Sequence, residues 1–173
     1  MIYALGYIKS DDQNHIFYAL LLLFSAGMSG TTLANDIFLF YFFWELMLIA
    51  SALLIVYWGE SAKRVAVALK YFIITHLGSL LVLVAFIMIY SQSGTDHFST
   101  LMDGVQLYPD TIPLIGTLFL LGFGVKMAVV PFHIWLPDTH SEAPMPVTIM
   151  LAAAMLSMGT YGILRFPMSF LTL

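Results

Sequence analysis

Residues 116–138 read GTLFLLGFGVKMAVVPFHIWLPD, and the fold turns on how this stretch is understood. The run is apolar enough to belong to a bilayer-crossing helix, which takes about 20 residues. Yet it carries a lysine, Lys126, whose neighbours at three and four residues are Gly122, Phe123, Val129 and Val130, none of them an acid. Five residues on, Pro131 deprives the Met127 carbonyl of its helical donor, while Gly122 and Gly124 loosen the other side. Charge at bilayer depth is costly and marks ion or proton paths. A lysine beside a proline break also fits the discontinuous helices of transporters, where freed backbone groups line a wet cavity. The stretch therefore predicts one membrane helix over about 112–134, broken near Lys126 and Pro131.

Working outward, four further apolar segments reach membrane length, at about 16–34, 37–57, 64–90 and 145–166. Asn35-Asp36 supplies a turn and a cap for the second, and Ser61 can cap the third beside Glu60 and Arg64 at i,i+4 spacing. A polar, acidic loop runs from Ser93 to about Asp110, after which Thr111 caps a helix with Pro113 in its first turn. Pro144 and Pro146 bracket the start of the last helix. The expected fold is all-α, a polytopic membrane protein of about five spans forming a single domain over residues 1–173.

Composition agrees. Of the 173 residues, 61% are hydrophobic and only 9% charged, with a mean hydropathy of +0.94, whereas soluble chains carry roughly a quarter charged residues. Net charge is −4, almost all of it in loops, so no nucleic-acid partner is implied. The absence of cysteine excludes disulfides, iron–sulfur ligation and thiol chemistry within the chain. The opening MIYALGYIKSDD lacks the basic region, apolar core and small-residue site of a cleavable signal, so the first span is expected to act as its own insertion signal. Lys9, Lys63 and Arg64 stand on one side of the expected topology and Arg165 on the other. That balance favours a cytoplasmic N-terminus and an external C-terminus.

Two more ionisable residues sit inside the spans, with a histidine near them. Glu45, in YFFWELMLIAS (41–51), has Tyr41, Phe42, Leu48 and Ile49 around it, so its partner must come from another helix, from water or from a bound proton. Lys70 lies about six residues inside the third helix, roughly 9 Å from its end. It can snorkel to the interface or serve as a relay. His76, deeper in the same helix, is a residue that titrates near neutral pH or one that packs by hydrogen bonding. After the break, His133, Asp138, His140 and Glu142 fall within ten residues. Without an HExxH arrangement or ligands elsewhere, they read as a rigid interfacial turn anchored by Trp135, and no metal is expected. His133 and His140 could instead pass protons inward from the cytoplasmic face. The eleven methionines and many phenylalanines read as packing and lipid contact. No phosphate loop, haem motif or nucleophile triad appears, and no cofactor is expected.

Three stretches together resemble the antiporter-like membrane subunits of respiratory complex I, membrane-bound hydrogenases and multisubunit cation/proton antiporters. They are FYFFWELMLIASALLI (40–55), VALKYFIITHLGSLLVL (67–83) and above all GVKMAVVPFHIWLPDTHSEAPMPVTIMLAAAM (124–155), with GTYGILRF (159–166) after it. In that family a five-helix unit occurs twice, inverted, within a much longer chain. The resemblance implies that Lys126 is the proton carrier of the broken helix, that Glu45 tunes its proton affinity, and that Lys70 matches a lysine often found in the third helix. Two departures stand out. Ser157 occupies the place where the family usually has a lysine or histidine, and the second unit, with the leading and final helices, is missing.

The expectation is thus a non-catalytic membrane subunit of a redox-linked, complex I-like or hydrogenase-like oxidoreductase complex, in a prokaryotic cell membrane. It would take part in proton or Na⁺/H⁺ translocation through Glu45 and Lys126, with Lys70, His133 and His140 on the path. Its partners would be other membrane subunits, among them a separate antiporter-like chain supplying the second half, together with lipid. The rival readings are a connector that transports nothing and a small transporter formed by self-association.

Overall fold

The computed structural model describes residues 14–102 and 107–167; the opening segment with Lys9 lies outside them. Three long helices come first: α1 (Asn14–Leu33), α2 (Ile37–Trp58) and α3 (Arg64–Ser93). A short helix α4 (Phe98–Met102) follows, inside the segment expected to be loop. Next comes α5 (Ile112–Lys126), then a 3₁₀ turn (Phe132–Trp135) and α6 (Leu136–Glu142). The last span is α7 (Met145–Met150), a π-helical turn (Leu151–Met155) and α8 (Leu156–Arg165), continuous in direction. Four of these helical runs are long and apolar enough to cross a membrane, and α5 is a shorter apolar helix. The protein is a polytopic α-helical membrane protein.

Local chemistry sets the helix limits. Asp36 Oδ1 accepts from the Phe38 and Leu39 amides at 2.8 and 2.7 Å, starting α2. Gly94, at φ +69°, ends α3 in the left-handed region, where a side chain would be strained. Two expected caps work differently. Thr111 makes no cap bond to α5 and spends its hydroxyl on Gln92 and the Tyr108 carbonyl. Ser61 accepts from the Lys63 amide but donates to Glu142, and Arg64 reaches the Tyr57 carbonyl at 3.3 Å.

α1 packs along α2, α3 lies against both α2 and α5, and α5 packs on α8. The interior is aromatic: Phe40, Phe86, Phe119, Phe123 and Phe166 are buried and meet edge-on or stacked, Phe166 lying 4.9 Å from both Phe40 and Phe86. Leu77, Val84 and Ile87 of α3 point outward, as lipid-facing side chains should. Where α3 meets α5 the backbones touch. A Cβ on Gly78 would fall 2.7 Å from Val125 Cβ, and one on Gly122 would fall 2.6 Å from the Gly78 carbonyl oxygen. Small residues of this kind let membrane helices approach closely.

The far ends of the bundle are tied by Arg165. Its guanidinium donates to the carbonyls of Thr32 (3.3 Å) and Ala34 and to the Tyr161 hydroxyl (2.5 Å). It thereby satisfies carbonyls at the end of α1 that have no helical donor. Arg165→Ala is expected to destabilise the protein by about 1–3 kcal/mol, measured by thermal unfolding in detergent. Arg165→Lys is expected to restore little of this, because an ammonium lacks the planar fork.

Candidate functional site

The broken helix positions the site. α5 ends at Lys126, earlier than Pro131 alone requires, because Ala128 adopts φ +54°. The amides that follow fold back: Met127 donates to Phe123 (2.9 Å), Ala128 to Val125 (3.2 Å) and Val129 to Gly124 (3.0 Å). The Val130–Pro131 bond is cis. Trp135 then returns beneath the break, fully buried, and its Nε1 donates to the Val125 carbonyl at 3.1 Å. The freed backbone is thus met by an indole, and the lysine stem is held at the end of a rigid turn.

Lys126 is 1% exposed, and its Nζ has no hydrogen-bond partner among the described residues. It lies 5.3 Å from the ring centre of Trp44, a cation–π contact worth roughly 0.5–2 kcal/mol. Trp44 is itself anchored, its Nε1 donating to Ser79 Oγ at 3.0 Å. Glu45, the next residue on α2, acts on Lys126 through its charge without bonding to it. Its Oε2 lies 3.0 Å from His76 Nδ1, and its Oε1 is buried without a partner. Of the sources the sequence left open for its partner, another helix supplies one, His76 of α3.

The remaining expected site residues go elsewhere. Lys70 pairs with Asp138 of α6 at 2.7 Å, both side chains about half exposed; such pairs stabilise by roughly 0–1 kcal/mol. His133 is exposed on the 3₁₀ turn, and His140 is half-buried on α6, where burial pushes its imidazole below the ordinary range. Glu142 is 7% exposed and turned away from both: it accepts from the Ser61 amide (2.5 Å) and hydroxyl (2.8 Å). The four polar groups of this loop therefore do not converge on one point. Ser157 faces outward and donates to the Ala153 carbonyl at 3.1 Å.

Sequence reasoning passes over Trp44 and a buried hydroxyl row. Tyr71, Thr75 and Ser79 stand four residues apart on the inner face of α3. Tyr71 is bonded to Ser51 at 2.7 Å, and Ser79 accepts from Trp44. The spacing YxxxTxxxS in an apolar helix is the signal that could have found them, since it lines one face.

Comparison with known proteins places this arrangement. Residues 34–172 match the family described as NADH:quinone oxidoreductase/Mrp antiporter, TM. The chain is 39% identical over 163 residues to an NAD(P)H-quinone oxidoreductase chain 4 of Picosynechococcus sp., covering 93% of this chain and 30% of that protein. It is 37% identical over 171 residues to a chain 4 of Thermosynechococcus vestitus, covering 98% and 32%. Among solved structures, respiratory complex I from Thermus thermophilus aligns with a TM-score of 0.81 at 27% identity, over 89% of this chain and 33% of the matched one. The Mrp complex from Dietzia sp. aligns with a TM-score of 0.85 at 30% identity, over 93% and 18%. The chain spans about 30% of the length of the curated relatives it matches. With the match running through α2, the broken helix and the last span, the chain belongs to the NADH:quinone oxidoreductase/Mrp antiporter transmembrane family.

Proposed function

We propose that this chain takes part in proton (or Na⁺/H⁺) translocation as an antiporter-like subunit of a multisubunit, redox-linked membrane complex. Lys126 carries the ion-coupled charge, and Glu45 sets when it is held. One observation carries the reading: a fully buried amine with no bonded partner sits at the end of a broken membrane helix, in the field of a carboxylate on α2. A buried charge left unpaired strongly destabilises a protein, and an amine that can release its proton is suited to exchange. Lys70, held at the half-exposed Asp138 pair, and His140 and His133 beyond it, would lead protons from the cytoplasmic side toward Lys126. The N-terminus would be cytoplasmic and the C-terminus external, in a prokaryotic cell membrane. Other membrane subunits are the partners.

The connector reading draws on Ser157, which turns outward and offers no charge to pass on. One experiment decides between them. Sealed vesicles holding the purified complex are energised and proton movement is recorded for wild type and Lys126→Ala at equal subunit content. Loss of movement supports transport; unchanged movement leaves the chain a connector.

A further inference from the structure

Glu45 is one carboxylate facing two basic groups, and it is bonded to only one of them. His76 Nδ1 lies 3.0 Å from Oε2, whereas Lys126 Nζ is unbonded and rests on Trp44. The titratable groups acting on or bonded to Glu45 are Tyr41 from its own helix, His76 and Tyr71 from α3 and Lys126 from α5. The His76 ring is held in place by stacking on Phe72, at 5.4 Å and 8° between planes. It also differs from Lys126 in access. The His76 side chain is 38% exposed and Glu45 16%, while Lys126 is 1% exposed. His76 is the thirteenth of thirty residues in α3, close to the middle of the span.

We propose that His76 is a positioning residue that competes with Lys126 for the Glu45 carboxylate. With a proton on Nδ1, His76 holds Glu45 and leaves Lys126 on the face of Trp44, the spacing seen in the structure. With Nδ1 bare and the ring proton on Nε2, it gives up Glu45, whose other oxygen turns to Lys126. Whether Nδ1 carries a proton thus decides whether the buried amine has a counter-charge. The consequence for transport rests on the proposed roles of Glu45 and Lys126; the His76–Glu45 dyad itself does not.

Two measurements test it. The first is ¹⁵N solid-state NMR of the full chain in its complex in bilayers, with labelled histidine and the His76 signal assigned by its loss in His76→Gln. The wild type is expected to show a proton on Nδ1 at position 76, and Glu45→Gln a bare Nδ1. A bare Nδ1 in both overturns the proposal. The second compares proton movement at equal subunit content. His76→Arg, a cation that cannot release its proton, is expected to trap Glu45 and lower the rate about tenfold or more, within the usual range of a coupling effect. His76→Gln, whose amide can turn either its donor or its acceptor end to Glu45, is expected to stay within about threefold of wild type. A purely structural role predicts that both substitutions are tolerated, so wild-type rates in His76→Arg overturn the proposal. Should that variant fail to assemble, the spectra of wild type and Glu45→Gln still decide. If Lys126→Ala moves protons normally while the spectra show the Glu45-dependent Nδ1 proton, the transport reading has failed and the dyad has not.

Discussion

Lys126→Met is expected to stop proton movement through this unit while leaving its fold as stable as the wild type or more so. Methionine keeps the length of the lysine stem and removes an ammonium that no group bonds. The loss on the favourable side is the Trp44 contact at 5.3 Å, worth roughly 0.5–2 kcal/mol. The gain is the removal of an unsatisfied buried polar group, about 1–3 kcal/mol. These nearly cancel, so thermal unfolding is expected at or above the wild-type temperature, whereas removing one partner of a bonded buried ion pair destabilises by about 3–5 kcal/mol. Lys126→Arg should also fail to transport, because a guanidinium stays charged. Unfolding curves and vesicle assays on the three proteins check this. A strongly destabilised Lys126→Met would mean that the amine is a staple, and a normally pumping Lys126→Arg would mean that no proton leaves position 126.

The second large effect is steric. Gly122→Ala is expected to destabilise the protein by about 1–3 kcal/mol, the range for overpacking a filled interior, and Gly122→Leu to prevent accumulation of folded protein. The new Cβ would meet the Gly78 carbonyl oxygen and a Val82 methyl carbon, both at 2.6 Å. The methyl can rotate away, but a backbone oxygen inside a helix cannot, so α5 must move off α3. Because Gly122 lies one turn before Lys126, the same movement displaces the amine from Trp44. Yield, unfolding temperature and transport should therefore fall together in Gly122→Ala. Retained stability with retained transport would show that the two helices do not meet backbone to backbone.

How far these features can be read in advance depends on which helices they join. Lys126 and Pro131 are visible because a charge and a missing donor inside an apolar run are properties of one segment. The apolar spans are visible for the same reason, and the description of a polytopic helical membrane protein follows. The end of α5 is not, since Ala128 takes a left-handed conformation that alanine does not favour and that only the packed surroundings impose. Nor are the pairings. Glu45 meets a histidine 31 positions away, and Lys70 an aspartate 68 positions away. Such meetings depend on how each helix is rotated about its axis. That rotation is set across the Gly78–Gly122 approach, where two absent side chains leave little for a sequence pattern to register. Thr111 and Ser61 suit caps by residue type, but nearer partners claim their hydroxyls.

The Arg165 tie has a meaning for biogenesis. A chain is made from its first residue to its last, and early parts begin to organise before later ones emerge. The carbonyls of Thr32 and Ala34 receive donors from a residue more than 130 positions downstream. Until residue 165 has left the ribosome and the last span has inserted, the end of α1 waits with unmet acceptors at the membrane surface. The tie between α1 and α8 is therefore made only after the helices between them. A chain arrested before that arginine would hold its first helices in the bilayer with the ring between first and last still open.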